Sequence, residues 1–163
     1  MNVIFKFLFF ILFLFSAAYA NENYNYDIQG NKRISDQTII SIIDFKKNEK
    51  YDVEDLNNFQ KKLYNTNYFS KVSLKIIKNT IQILVEENPI IDFFYLNGVV
   101  NNKREEFFYE NLSLGQNKIF SEALLKKDIE KIKDNYLDAG FFDVEVNTNI
   151  SKISGNALNV VIN

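Results

Sequence analysis

Apolar and polar residues recur along this chain in two similar series, one on each side of Glu86-Glu87-Asn88-Pro89. In the first series Tyr24 to Gln29 alternates, with Tyr26 and Ile28 on one face, and stops at Gly30-Asn31; this predicts a short strand closed by a turn. Ser35 is placed to cap a helix on which Ile39, Ile42 and Ile43 share a face. Asp52 is placed to cap a second helix carrying Val53, Leu56, Phe59 and Leu63, with its end near Asn65 to Asn67, where asparagine tolerates a left-handed backbone. Val72, Leu74 and Ile76 then alternate with Ser73 and Lys75, and Ile81, Ile83 and Val85 follow beyond Asn79, which predicts a β-hairpin.

The second series has the same plan. Phe94 and Leu96 lead into Asn97-Gly98, and Lys103 to Asn111 carries Phe107 and Phe108 on a short helix. Ser121 is placed to cap a longer helix with Leu125, Ile129, Ile132 and Tyr136 on one stripe, closed by Asp138-Ala139-Gly140. Phe142, Val144 and Val146 alternate with Asp143, Glu145 and Asn147, which predicts a strand, and Leu158, Val160 and Ile162 form the last one. Gly30 and Gly98 lie 68 positions apart, and Asn67 and Gly140 lie 73 apart. Similar offsets at both ends of the unit, with matching residue types, predict an internal repeat.

The fold class expected is therefore α+β: two tandem βααββ modules, each a three-stranded mixed sheet with two helices on one face. That packing lets so small a unit bury the apolar sides of both its layers. Pro89 is the only proline, and a proline ends strand pairing, so the modules are expected to span 21–88 and 89–163.

Ahead of them, Met1 to Lys6 is a short positive region, Phe7 to Phe15 is an unbroken apolar run, and Ala18-Tyr19-Ala20 places small residues, Ala18 and Ala20, where a signal peptidase reads. Residues 1–20 thus read as a cleaved signal peptide, the run being short for a membrane span, with an uncleaved anchor as the other reading. The net charge of −2 offers nothing to attract phosphate backbones or anionic lipid, so no nucleic-acid partner is expected.

There is no cysteine and no histidine, which removes disulfides, the usual nucleophile–base pairs and most transition-metal sites. Stability must come from packed apolar surface, to which 16 Phe and 9 Tyr contribute. The 5 glycines form no phosphate-cradling loop. Glu86-Glu87 would point to opposite faces of a strand, and Glu105-Glu106 sits in the first turn of a helix; both pairs read as solvated surface. No catalytic residue, metal or cofactor is expected. Tyr68-Phe69 and Phe141-Phe142, which lead from the long helices into strands, read as core, and Gly30 and Gly140 as turn residues.

Taken in order, Gly30-Asn31-Lys32-Arg33-Ile34-Ser35, Leu63 to Phe69 followed by Val72, Glu87-Asn88-Pro89-Ile90-Ile91, Phe120 to Leu125 and Tyr136 to Phe142 resemble the first two POTRA domains of the BamA family of outer-membrane barrel-assembly factors. The resemblance covers essentially all of the chain after the signal. It implies a periplasmic scaffold at the bacterial outer membrane whose partners are unfolded outer-membrane proteins and accessory lipoproteins, with membrane attachment only through a barrel that this chain does not contain. Members of the family carry further POTRA domains and a barrel, so the chain is expected to be an amino-terminal fragment, a stand-alone pair being the other reading.

The hairpin makes the second strand of each module an edge, and the family's strand order, with the last strand in the middle, agrees. The expected client-binding edges are Val72, Ser73, Leu74, Lys75 and Ile76 in the first module and Asp143, Val144, Glu145, Val146 and Asn147 in the second. Unpaired backbone groups there can accept an extended segment as another strand. Two alternatives stay open: that Lys75, Asp143 and Glu145 are gatekeeper charges that keep the edges from pairing, and that the modules are spacers in a two-partner secretion or translocation transporter.

Overall fold

A computed structural model describes residues 23–163, so the expected signal peptide, with Ala18 and Ala20, lies outside the described residues. The first half runs β1 (Asn25–Gln29), α1 (Asp36–Ile43), α2 (Val53–Asn65), β2 (Phe69–Ile77) and β3 (Thr80–Glu87). The second runs β4 (Ile90–Leu96), α3 (Asn102–Asn111), α4 (Glu122–Asp138), β5 (Thr148–Ile153) and β6 (Ala157–Ile162). Each half forms its own three-stranded sheet, in the orders β1-β3-β2 and β4-β6-β5. In both, the last strand lies in the middle, parallel to the first and antiparallel to its hairpin partner.

Helix starts follow from side chains that satisfy the free amides of the first turn. Ser35 Oγ accepts from the Thr38 N–H, and Ser121 Oγ from that of Leu124. Asp52 and Asp55 form a reciprocal capping box on α2. The Asn101 side chain caps α3. Asn67 leaves α2 with φ +58°, and Gly140 leaves α4 with φ +88°.

In the first module Ile81, Ile83 and Val85 of the central strand pack against Ile39, Ile43, Leu56, Phe59 and Leu63. In the second, Leu158, Val160 and Ile162 meet Phe108, Leu125, Ile132 and Tyr136. Each such side chain contributes about 1.5–3 kcal/mol by leaving water. Two helix assignments shift. Val53 is 73% exposed because it begins α2 ahead of the stripe, and on α1 Ile40, rather than Ile42, is buried with Ile39 and Ile43. Gly30 is required by more than its turn: at φ +94° a Cβ would lie 1.9 Å from the Val85 carbonyl oxygen.

The expected strand at Asp143, Val144, Glu145, Val146 and Asn147 is corrected: the edge strand of the second sheet is Thr148–Ile153. Register is the reason. Thr148 stands opposite Ile162, and Asn147 and Asn163 exchange backbone hydrogen bonds of 2.9 and 2.8 Å, so residues 143–146 lie past the last residue of β6. The alternation read from the sequence is real, since Val144 and Val146 are half-buried while Asp143 and Glu145 are exposed. These valines line a cavity of about 220 Å³ with Leu96, Phe108, Ile132 and Tyr136.

The same slip corrects the core reading of Phe141-Phe142. Phe69 is 2% exposed, whereas Phe142 is 85% exposed. Phe141 is also exposed, meeting Tyr136 edge to face with the Arg104 guanidinium beside both rings.

Candidate strand-addition edge

Strand β2 pairs with β3 on one side only, which leaves its other margin as an edge of the sheet. In an antiparallel pair the backbone groups of alternate residues turn toward the partner and those between turn away. Val72 belongs to the outward set, because its N–H and C=O bond to side chains of α2 and not to β3. Leu74 and Ile76, in the same regular register, share that direction. The N–H and C=O of Ser73 and Lys75 therefore turn inward to β3. The structure places all five predicted residues, Val72 to Ile76, on this one edge strand.

The three outward positions differ. Gln60 Nε2 donates to the Val72 carbonyl at 2.7 Å, and the Val72 N–H donates to the Tyr64 hydroxyl at 3.1 Å. Gln60 and Tyr64 stand one helical turn apart on α2, the spacing that brings side chains together on one flank. Among the described residues, none hydrogen-bonds the outward groups of Leu74 or Ile76 through a side chain. Their own side chains are half-buried against the core, while Ser73 and Lys75 are exposed on the face away from the helices. Lys71 is paired with Glu86 at 2.7 Å, both in solvent, and Lys75 has no ion-pair partner among the described residues.

The second module offers a different margin. Strand β5 is its edge, but the residues of α4 that correspond to Gln60 and Tyr64 through the pairing of Asn67 with Gly140 are Lys133 and Leu137, and both are exposed. No counterpart of the α2 clasp forms there among the described residues.

Glu87 overturns the reading of Glu86-Glu87 as solvated: Glu86 is exposed, but Glu87 is 5% exposed. One oxygen of its carboxylate accepts from the backbone N–H groups of Lys32 (2.6 Å), Arg33 (2.8 Å) and Ile34 (2.9 Å), and the other meets Arg33 Nε at 2.9 Å. Burial opposes its ionisation, yet the amides of Ile34 and Lys32, the Arg33 guanidinium and the Arg33 amide outweigh that cost and hold its pKa at about 2. Arg33 also donates to the Asn88 carbonyl. The group staples the turn after β1 to the end of β3.

Sequence reasoning missed Gln60, Tyr64, Glu87 and a buried carboxylate on α4, Asp128, which is 1% exposed and accepts from the N–H groups of Ser113 (2.9 Å) and Leu114 (2.7 Å). Asp128 stands three positions after Leu125 and four before Ile132, a helical spacing that puts it on their buried stripe, which was the available signal.

The family model described as POTRA, surface antigen variable number repeat, matches residues 25–88 and again 89–163. The outer membrane protein assembly factor BamA of Neisseria meningitidis serogroup B is 22% identical over 137 residues, covering 83% of this chain and 17% of that protein. The BamA of Neorickettsia risticii is 26% identical over 133 residues, covering 82% of this chain and 16% of its own length. The chain thus spans about one sixth of these relatives. Among solved structures, the amino-terminal domain of Omp85 from Thermosynechococcus elongatus superposes with a TM-score of 0.59 at 16% identity, covering 86% of this chain and 61% of that one. The first two POTRA domains of Omp85 from Anabaena give 0.54 at 12% identity, covering 86% and 92%. At such identities the structures attest the fold.

Proposed function

This chain belongs to the POTRA family, and we propose that it is a non-enzymatic scaffold of outer-membrane protein assembly, exported after cleavage following Ala20 and working on the periplasmic side of the outer membrane. Its two modules meet between Asn88 and Pro89. Its clients are unfolded barrel proteins, which add to the β2 edge as an extra strand, and accessory lipoproteins dock on the same array.

The observation that carries this reading is the pair of outward backbone positions at Leu74 and Ile76, which no described side chain caps. Main-chain pairing reads extended shape more than sequence, which suits a receptor for many different clients. In the second module the edge available for such pairing is Thr148–Ile153 rather than Asp143–Asn147.

Titration with peptides taken from barrel strands tests this directly. Within residues 72–76, the amide resonances of Leu74 and Ile76 are expected to shift. Shifts confined to α1 and α2 would reject strand addition and favour a spacer role.

A further inference from the structure

We propose that Gln60 and Tyr64 form a register clamp that lets a client strand pair with Leu74 and Ile76 but stops it at Val72, and that the strand selected is one alternating apolar and acidic residues. This inference rests on the strand-addition reading above and deepens it.

Two bonds from one helix flank occupy both backbone groups of Val72, at 2.7 and 3.1 Å. An incoming strand that included Val72 would have to break both to form two of its own, an exchange that gains little. At Leu74 and Ile76 the same strand replaces only water. Pairing therefore gains from Leu74 toward the hairpin turn and loses its return at Val72. The Lys71–Glu86 pair and the register irregularity between Phe69 and Lys71 lie just beyond the clamp and disfavour extension further.

The chemistry of the occupant follows from the two faces of the edge. Beside Leu74 and Ile76, on the helix side, an added strand presents residues next to half-buried apolar side chains. On the opposite face it meets exposed Lys75, the edge cation without an ion-pair partner among the described residues. Apolar residues at one parity and a carboxylate at the other satisfy both. The clamp is confined to the first module, since Lys133 and Leu137 stand at the matching positions of α4.

The test titrates a short peptide alternating valine with threonine and glutamate into the protein and into its Gln60→Ala, Tyr64→Phe double variant, following backbone amides. In the unaltered protein Leu74 and Ile76 should respond and Val72 should not. In the variant Val72 should join the bound segment and affinity should tighten by about five- to tenfold. Replacing the peptide's glutamate by glutamine should weaken binding to both proteins. Tyr64 is 42% exposed and keeps its ring in Tyr64→Phe, so the fold is retained, and each single variant should give part of the effect. Binding in both proteins with one register and one affinity overturns the clamp and leaves strand addition standing. Binding to the variant alone overturns the register clamp, because Leu74 and Ile76 would then be closed to a strand in the unaltered protein as well. Absence of binding to either protein overturns the clamp together with strand addition.

Discussion

Glu87 shows how much a single side chain can hold when its surroundings supply donors. Its folded pKa of about 2 lies below the ordinary value of 4.5, so the stabilisation is present above the unfolded value and is lost as pH falls from about 4.5 toward 2. The difference corresponds to about 3 kcal/mol at neutral pH. Urea midpoints measured across that range should fall steeply for the natural protein and much less for Glu87→Gln, which is already destabilised at pH 7. Equal pH slopes for the two would contradict the assignment. The sequence did not disclose this residue, because glutamate beside glutamate at the end of a strand has the composition of a solvated rim. Only the fold brings the turn at Lys32 to Ile34 over it. The partners of Asp128 were hidden for the same reason, since the Ser113 and Leu114 amides are brought to it by the loop after α3.

At the scale of elements, the strands, helices and caps were legible because each is written in a local pattern: Ser35, Asp52 and Ser121 before apolar stripes, alternation in β2 and β3, glycine or asparagine after each long helix. What was not legible was where pairing starts. Alternation from Phe142 to Asn147 has the period of a strand, but pairing is fixed by register with β6, and that register begins at Asn147. Residues 72–76 therefore do lie in the edge strand of the first sheet, whereas the strand expected in the second module was placed one segment early. The junction between the modules was equally unreadable, since it is built from asparagines to which composition assigns no role. Asn67 accepts from Asn88 Nδ2 through its carbonyl (2.8 Å) and from Ser121 Oγ through its side chain (2.9 Å), and Asn156 Nδ2 donates to the Glu87 carbonyl (3.0 Å). Replacing Asn67 by glycine keeps the left-handed backbone but removes the Ser121 bond, at a cost of about 1 kcal/mol. Alanine should cost roughly 1 kcal/mol more, because φ +58° disfavours a Cβ without a local hydrogen bond. Chemical denaturation of the two variants checks the order, and alanine matching glycine would contradict it.

For the whole molecule, duplication of a small sheet gives two margins of different character on one chain. The first is capped at Val72 by α2 and, among the described residues, open at Leu74 and Ile76; the second is displaced beyond an exposed Phe141-Phe142 segment. Function on this account is carried by the outward backbone groups of Leu74 and Ile76, and strand pairing calls for neither histidine nor cysteine. The most direct measurement is amide hydrogen exchange along β2 with and without a bound barrel-strand peptide. Strand addition predicts slowing at Leu74 and Ile76, whose N–H groups face outward, with Ser73 and Lys75 unchanged because β3 already holds them. Uniform change along β2, or slowing confined to the helices, would contradict it.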